Sequence, residues 1–488
     1  MKRTISTILL VAMLASMTAC GEQATTETQP NDTTPAAVET EVQESETEKL
    51  LPDIPDTTYD GQEFRFLSRE VTDAVVRFYS EVASFEMTGE SMNDATYERT
   101  LRMEDTYDIK IVDDTAGNVQ DTYKNSYLAD EQNWDVIIPG FSNALGLAQD
   151  GFAADWNQIE YVDLSKPWWD TQVAKSMEIG GSVYSVIGAM NTWTDSHSYA
   201  VVFNKELADS FEVDPYTMVR ENKWTLDNFN EILEKVTDDI DGNGLMDDND
   251  RYGAVGENFN FTLHMLASDV ILVTSDEEGY PKLNISEKFY TAADKICKMM
   301  SGNTYMLAQD YASKYSDPWT DALRANFRAG KSMFYVGGIE QLLIFRDLDT
   351  DIGLLPMPKY DETQEKYHHS FSSYWASIMV IPRNSSTTAF TGHMLEAMNA
   401  DSYYSTSIAY YDVMLQGRAM RDQDSCEMLD IIRASRTVDP ELAYNFLGVS
   451  NLYNDVLGKK STESLASAVK SGQKKAERKI AKFAEIYQ

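Results

Sequence analysis

Basic residues are scarce in this chain of 488 residues. It contains 41 lysines and arginines against 79 aspartates and glutamates, which gives a formal net charge of −38. A negative surplus of this size repels the phosphates of nucleic acids and anionic membrane surfaces. We therefore expect no nucleic-acid partner.

Cysteine is also rare, with only Cys20, Cys297 and Cys426 in the whole sequence. Three cysteines are too few for a disulfide framework, and these lack the close spacing of a structural zinc site. We expect at most one disulfide bond.

The motifs of several common enzyme classes are missing. The sequence has neither a His-Glu-x-x-His pair nor a Gly-x-Ser-x-Gly nucleophile elbow. Residues 330–332 (GKS) resemble the end of a phosphate-binding loop, but Ala325 stands where the first glycine belongs. Carboxylates are abundant, yet no local pattern marks a glycosidase pair. We therefore predict that the protein is not an enzyme.

The first 50 residues predict export and anchoring. Lys2 and Arg3 precede a short apolar stretch at 5–17, which is typical of a signal peptide covering 1–19. Residues 17–20 (MTAC) resemble a lipoprotein cleavage site with lipid attached to Cys20; the alternative is an ordinary signal peptide with an incidental cysteine. The polar, acidic segment 20–50 reads as a disordered tether. We expect the protein at the outer face of the cytoplasmic membrane, with no later run of about 18 apolar residues to span it.

Short apolar runs that stop at polar or glycine-containing loops recur along the chain. They lie at residues 64–67, 134–138, 184–187 and 332–336. Such runs are typical of strands buried on both faces of a sheet, and the loops that follow them form the ligand crevice of open α/β sheets. Thr225 as an N-cap and the apolar spacing after it predict a helix, as does the segment 462–487. The predicted class is α/β.

The segment 239–250 has the spacing of an EF-hand calcium loop. Its oxygen donors are predicted to be Asp239, Asp241, Asn243, the Leu245 carbonyl, Asp247 and Asp250. Gly244 permits the sharp turn that such a loop needs. Because position 12 is Asp250 where glutamate is usual, we expect a structural Ca²⁺ site of modest affinity and no organic cofactor. The alternative is a solvated acidic turn.

The chain is rich in aromatic residues, with eight tryptophans and 27 tyrosines. Flat aromatic faces can stack on sugar rings. Trp193, Trp319 and Trp375 lie in polar loops and are candidates for ligand contact, with packing as the alternative. Trp168 and Trp169 are predicted to pack.

Taken together, these features resemble the family 1 extracellular solute-binding proteins, the sugar-binding lipoproteins of bacterial ABC importers. The resemblance covers nearly all of the chain. It is carried by residues 134–140 (WDVIIPG), 163–169 (DLSKPWW), 200–205 (AVVFNK), 224–226 (WTL), 251–253 (RYG) and 351–358 (DIGLLPMP).

The resemblance implies a two-lobed periplasmic-binding-protein-like fold of type II with the ligand cleft between the lobes. One lobe would comprise residues 59–195 plus 372–411, and the other 199–367 plus 412–488. The chain would cross between them near 193–200 and 368–375.

The resemblance further implies that the protein captures a carbohydrate, most simply an oligosaccharide, by lobe closure and delivers it as a monomer to a transmembrane ABC permease. Arg69, Asn143, Asp195 and Glu340 would bind hydroxyls, and Trp193, Trp319 and Trp375 would stack on rings, with Tyr374 beside them in the cleft. Three alternatives stay open: a ligand-binding module for a membrane sensor, an exported carbohydrate-active enzyme, and a peptide, polyamine or metal ligand in place of the sugar.

Overall fold

The computed structural model describes residues 49–70, 79–416 and 422–487. The chain divides into two units, residues 1–50 and 51–488, and only Lys49 and Leu50 of the first are described. The predicted signal peptide, the lipidation site Cys20 and nearly all of the tether therefore lie outside the described residues. Everything below concerns the second unit.

A small parallel sheet forms near the start of this unit. It contains β1 (Gln62–Arg69), β2 (Ile109–Ala116) and β3 (Val136–Ile137) in the order β2-β1-β3. Isolated antiparallel pairings of Ile137 with Val380 and of Gly140 with Ser377 bring a later segment back beside β3. The small sheet is thus completed by residues that lie some 240 positions further along the chain.

A larger sheet contains β4 (Tyr199–Asn204), β5 (Tyr252–Gly256), β8 (Tyr305–Leu307), β9 (Ser332–Gly338) and β10 (Ile352–Leu355). Its order is β10-β4-β9-β5-β8, with β4 antiparallel to both of its neighbours and β5 parallel to β8 and β9. A separate hairpin joins β6 (Val273–Ser275) to β7 (Pro281–Leu283).

Helices cover the sheets and form the C-terminal segment. The α-helices are Ser91–Tyr107, Val119–Leu128, Phe141–Gln149, Thr171–Ser176, Thr192–Ser196, Lys205–Ser210, Pro215–Arg220, Leu226–Val236, Phe259–Ala267, Glu287–Met300, Ala325–Arg328, Gln341–Ile344, Thr388–Tyr403, Thr406–Ile408, Gln423–Ala434, Pro440–Tyr444, Val449–Lys459 and Leu465–Tyr487. Trp319–Arg324 and Ala409–Gln416 are π-helical, and Trp156–Gln158 and Ala308–Tyr311 are 3₁₀ turns. Among the described residues, no helix combines the length and apolar character that crossing a membrane requires.

The alternation along β4 shows why this sheet is covered on both faces. Val201 and Phe203 belong to a core with the helix Leu226–Val236, whereas Ala200 and Val202 belong to a core on the opposite face. Side chains of a strand point alternately to the two faces, so a fully apolar strand needs packing on each. The predicted α/β class is confirmed.

The helix predicted after Trp224 is present and begins as expected. The Thr225 hydroxyl accepts a hydrogen bond from the Asn228 amide at 3.4 Å, which caps the helix Leu226–Val236. The predicted C-terminal helix is present as Leu465–Tyr487.

The run 184–187 is buried, but it does not form the predicted strand. Only Val186 pairs, with Met379. The carbonyl of Val183 accepts instead from the Trp156 amide at 2.7 Å, and that of Ile187 from the Asp170 amide at 2.9 Å. Loop segments donate the hydrogen bonds that a neighbouring strand would otherwise provide, so no continuous β-ladder forms.

The two predicted crossings run side by side. Ser198 pairs antiparallel with Phe371, the Tyr199 amide donates to the Ser370 carbonyl at 2.9 Å, and the Ser372 amide donates to the His197 carbonyl at 2.9 Å. This pairing holds residues 197–199 against 370–372 and places both segments at the rim of the cavity described below.

The C-terminal segment packs on both sheets. Tyr453 and Val469 belong to the core of the large sheet, whereas Tyr444 and Phe483 share a core with Leu67 of β1. The lobe boundaries given above stay a prediction. Cys297 is buried and Cys426 half-buried, and neither forms a disulfide bond among the described residues.

Candidate ligand-binding cleft

A cavity of about 370 Å³ lies at the carboxyl ends of β5 and β9, beside the paired crossings. Its walls include Glu257, Trp319, Arg324, Glu340, Ser372 and Trp375. The position agrees with the expectation that loops following buried strands form the ligand crevice.

Glu340 lies two residues after the end of β9 and is only 8% exposed. Its amide donates to the Ser196 carbonyl at 3.0 Å, so the first crossing fixes its backbone. A Cβ atom at Gly338 would overlap the Glu340 carboxylate. Glycine at the end of β9 therefore gives the carboxylate room to fold back over the strand.

The two carboxylate oxygens of Glu340 differ in their surroundings. Oε1 accepts from Gln341 Nε2 at 2.9 Å. Oε2 is buried and finds no donor on another residue in the part of the chain that the structure describes. Burial raises the pKa of Glu340 to about 7, and the negative charge of Glu257 adds to the increase.

Glu257 lies next to Gly256, the last residue of β5, and orients one aromatic wall of the cavity. Its Oε1 accepts from the Tyr199 hydroxyl at 2.7 Å, and its Oε2 accepts from Trp319 Nε1 at 3.0 Å. Trp319 remains 40% exposed, so its polar edge is held while part of its ring stays open.

Trp375 forms the facing aromatic wall and is 37% exposed. Its ring stacks on His197 with centroids 6.1 Å apart. Arg69 Nη1 donates to the Tyr374 carbonyl at 2.7 Å, and the guanidinium lies 5.4 Å from the Trp375 ring centroid and 5.2 Å from that of Tyr374. The end of β1 therefore holds the loop that carries Trp375.

Arg324 provides a positive charge in the cavity wall. Its Nε donates to Gln341 Oε1 at 3.1 Å and its Nη1 to Thr320 Oγ1 at 3.0 Å. Sequence reasoning missed both Arg324 and Glu257. Glu257 has the same signal as the other candidates, a polar residue directly after a buried strand, whereas nothing in the sequence marks Arg324.

The structure brings three of the predicted ligand contacts, Trp319, Glu340 and Trp375, to the cavity wall. Arg69 and Tyr374 lie beside it, joined to Trp375. Their contacts with a ligand stay predictions.

Trp193 and Asp195 lie elsewhere. Trp193 is 3% exposed, packs edge to face on Tyr79, and its amide donates to Glu81 Oε1 at 2.6 Å. Asp195 forms an ion pair with the buried Arg436, which also contacts Asp170 Oδ2 at 3.1 Å. Both side chains contact other parts of the protein, and neither Trp193 nor Asp195 lines the cavity.

Two further predictions concern Asn143 and the tryptophan pair. Asn143 is exposed near the start of the helix Phe141–Gln149 and does not line the cavity. Trp168 and Trp169 are buried, and both indoles donate to Glu396, at 3.0 and 2.9 Å. The predicted packing of this pair is confirmed.

The acidic loop 239–250 is a second candidate site. Carboxylate oxygens of Asp239, Asp241 and Asp250 lie within 4.8 Å of one another. Gly242 and Gly244 both have positive φ, and the Gly244 amide donates to Asp239 Oδ2 at 2.7 Å. A donor set made only of oxygen atoms fits a hard cation such as Ca²⁺.

Asn243 and Asp247, two of the other predicted calcium ligands, accept hydrogen bonds from backbone amides of the loop itself. The Asn243 side chain accepts from the Leu245 amide at 2.7 Å, and Asp247 Oδ1 accepts from the Asn249 amide at 2.8 Å. Asn243 and Leu245 are exposed. Of the four predicted carboxylate ligands, the structure brings three together, those of Asp239, Asp241 and Asp250.

No protein-family model and no curated relative matches the sequence. Solved structures do. An ABC substrate-binding protein from Listeria monocytogenes in complex with cycloalternan superposes with a TM-score of 0.54 at 15% identity, over 86% of this chain and 100% of that one. The chain has the fold of ABC substrate-binding proteins.

Two maltose-type structures show the same substrate-binding fold. The maltose/maltodextrin-binding domain MalE from Bdellovibrio bacteriovorus, bound to maltotriose, has a TM-score of 0.54 at 13% identity, over 86% of this chain and 100% of that one. The sugar-binding protein MalE from Xanthomonas citri has a TM-score of 0.57 at 13% identity, over 87% and 98%. The resemblance to family 1 solute-binding proteins is therefore confirmed at the level of the fold.

Proposed function

We propose that this protein captures a carbohydrate in the cavity beside β9 and delivers it to an ABC transporter permease. The observation that carries the proposal is the cavity wall itself. Two partly exposed tryptophans, Trp319 and Trp375, stand beside the buried acceptor Glu340. Aromatic faces for sugar rings and a few fixed polar groups for hydroxyls are what an oligosaccharide site needs. The sugars bound by the structural neighbours support the same class of ligand.

Ligand capture would be linked to closure of the two predicted lobes. Trp375 lies in the segment assigned to the first lobe, and Trp319 and Glu340 lie in segments assigned to the second. A ligand that contacts both sides stabilises the closed state by its greater affinity for that state. The permease would recognise this closed form.

The test is thermal unfolding of the purified protein against a panel of mono- and oligosaccharides, with the supernatants analysed for cleavage. A ligand that binds only the native state raises the unfolding midpoint. Stabilisation by one sugar class without product supports the proposal. Product would identify a carbohydrate-active enzyme, and a panel without any stabilising sugar would contradict carbohydrate binding.

A sensor module would bind the same sugars, so the partner must be tested separately. Import of labelled sugar by cells that produce the protein, compared with cells that lack it, distinguishes the two functions. Lost import without the protein supports delivery to a permease. Unchanged import together with a lost sugar response supports the sensor.

We also propose that Cys20 carries lipid and holds the exported protein at the membrane. The motif at residues 17–20 and the polar segment that follows it support this. Replacing Cys20 with alanine should release the protein from the membrane fraction into the soluble fraction. Retention of the variant in the membrane fraction would contradict the anchor.

The loop 239–250 is proposed to hold a structural Ca²⁺. The clustering of the Asp239, Asp241 and Asp250 oxygens supports this assignment. The ion would neutralise the mutual repulsion of these carboxylates and fix the loop.

A further inference from the structure

The charges in the cavity wall do not balance. The residues that line the cavity include three acidic ones, Glu257, Asp317 and Glu340, and one arginine, Arg324. Arg324 forms hydrogen bonds with Gln341 and Thr320. Among the ion pairs of the described residues, none joins Arg324 to a carboxylate of the cavity. The wall therefore carries a surplus of negative charge.

The carboxylates differ in how far the protein satisfies them. Both oxygens of Glu257 accept hydrogen bonds, from Tyr199 and Trp319. Asp317 Oδ1 accepts from the Thr320 amide at 3.2 Å. Glu340 is the most deeply buried of the three, and its Oε2 receives no hydrogen bond from another described residue.

A buried carboxylate oxygen without a donor is costly, because it has lost water without gaining a replacement. A ligand group that donates to Oε2 would remove this cost. A neutral hydroxyl would supply the hydrogen bond alone. A protonated amine would supply the hydrogen bond and also neutralise the charge, and charge-assisted hydrogen bonds are roughly twice as strong as neutral ones.

The aromatic walls favour the same ligand chemistry. Ammonium groups are attracted to the faces of tryptophan rings, and this attraction is larger where water is excluded. Trp319 and Trp375 both line the cavity that contains Glu340. By contrast, a uronic acid would bring a further negative charge to a wall that already has a surplus.

We propose that the ligand of this cleft is an amino sugar whose protonated amine binds the Glu340 carboxylate, with the buried Oε2 turning toward the cavity on binding. This inference rests on the proposed carbohydrate-binding function and narrows its substrate class. Burial, with a smaller contribution from the charge of Glu257, raises the pKa of Glu340 to about 7 in the free protein. An ammonium beside it would lower that pKa, so binding at slightly acidic pH, where the amine already carries its proton, would release a proton from Glu340.

The experiment uses two tetrasaccharides with the same skeleton. One is the β-1,4-linked tetramer of glucosamine, and the other is its fully N-acetylated form, which lacks the positive charges. Calorimetry at slightly acidic pH, where the amines are protonated, gives the affinity for each. We expect the free-amine tetramer to bind about tenfold tighter or more, which corresponds to about 1.4 kcal/mol.

Glu340→Gln tests the residue itself, since glutamine keeps the size and an acceptor but removes the charge. It should abolish the preference for the free amine. Glu231→Gln, an exposed position on the helix Leu226–Val236, is the matched control and should keep the preference. Repeating the titration of the unaltered protein in buffers of different ionisation enthalpy measures the released proton, so the test does not depend on the folding of a variant.

The outcomes separate this inference from the proposed function. Equal binding of both tetramers, or of neutral maltotetraose, with no effect of Glu340→Gln, overturns the amino-sugar assignment and leaves carbohydrate binding intact. Binding of spermidine but of no sugar overturns both. A free-amine preference that depends on Glu340 and is accompanied by proton release supports the inference.

Discussion

The acidic loop at 239–250 and the cavity beside β9 both contain several carboxylates. They differ in whether the protein itself donates hydrogen bonds to the carboxylate oxygens. In the loop, Asp250 Oδ1 accepts from the Ile240 amide at 3.0 Å and Oδ2 from the Asp247 amide at 2.8 Å. In the cavity, Glu340 Oε2 has no such donor among the described residues. The loop supplies donors for its own carboxylate, whereas one oxygen of Glu340 is left without a donor on another described residue.

The two regions also differ in how far solvent reaches their charges. Asp241 is exposed in the loop, whereas Glu340 is buried between aromatic walls. Exposed charges are screened by water and salt, and buried ones much less. A cation in the loop should therefore act mainly on local order, while a charge in the cavity should decide which ligand binds.

The largest effect is expected from the pH dependence of folding. The pKa of Glu340 is raised from 4.5 to about 7 in the folded protein. The contribution of neutral Glu340 to the free energy of unfolding is fully present below about pH 4.5, and it is lost as the pH rises through about 7. The loss amounts to roughly 3 kcal/mol of the free energy of unfolding at about 1.4 kcal/mol per pH unit.

Glu340→Gln should remove this loss, so the variant should be more stable than the parent protein in mildly alkaline buffer and similar to it in acid. Urea unfolding at both pH values measures the difference. Glu231→Gln should change neither value. A Glu340→Gln variant with the same pH dependence as the parent would show that this carboxylate titrates normally.

The aromatic walls give the second largest effect. Replacing both Trp319 and Trp375 with alanine should weaken sugar binding by about 100-fold, since tryptophans rank among the strongest single contributors to binding interfaces. Trp134→Ala is the matched control, because Trp134 is half-buried outside the cavity, where its indole donates to Asp114. Unchanged affinity in the double variant would remove ring stacking from the site.

Calcium should have a smaller effect, confined to stability. Chelation should lower the unfolding midpoint, corresponding to about 1–2 kcal/mol at calcium concentrations well above the dissociation constant. Asp239→Asn combined with Asp241→Asn should abolish this response and leave sugar affinity unchanged. Asp238→Asn, next to the loop and paired with Arg251, should retain it. A midpoint that does not depend on calcium would favour the solvated-turn alternative.

The smallest effect is expected at Asn143. The side chain is exposed and does not line the cavity, so Asn143→Ala should change sugar affinity less than about twofold, within the range of ordinary surface substitutions. Calorimetry with the best sugar of the panel measures it. A loss of tenfold or more would place Asn143 in the site after all, in a conformation that the ligand induces.

The acidic loop and the cavity also differ in how far each could be predicted from the sequence. The acidic loop was recognisable because its donors are neighbours in the chain and their spacing alone defines the geometry. Buried runs that end at polar or glycine-containing loops identified β1, β3 and β9, because burial on both faces leaves a local signature. The partners of Glu257 could not be found in this way, since Trp319 lies 62 positions away and meets it only through the packing of the large sheet.

Trp193 shows the limit of arguing from polar neighbours. Thr194 and Asp195 indicated an exposed loop, but the structure buries Thr194 and half-buries Asp195. The Thr194 hydroxyl donates to the Ser377 carbonyl at 2.5 Å, and Asp195 pairs with Arg436. Their polarity is satisfied by distant segments, so the helix Thr192–Ser196 carries its indole into the core.

The attachment of the two cavity tryptophans has a practical consequence. Trp319 is held to the large sheet through Glu257, and Trp375 is held beside the small sheet by the contacts of its loop with Arg69. Each indole is partly open to water, so its emission depends on how the other side of the cleft approaches it. The protein therefore contains a pair of natural fluorophores at the cavity, whose emission would report the proposed closure in real time without any added dye.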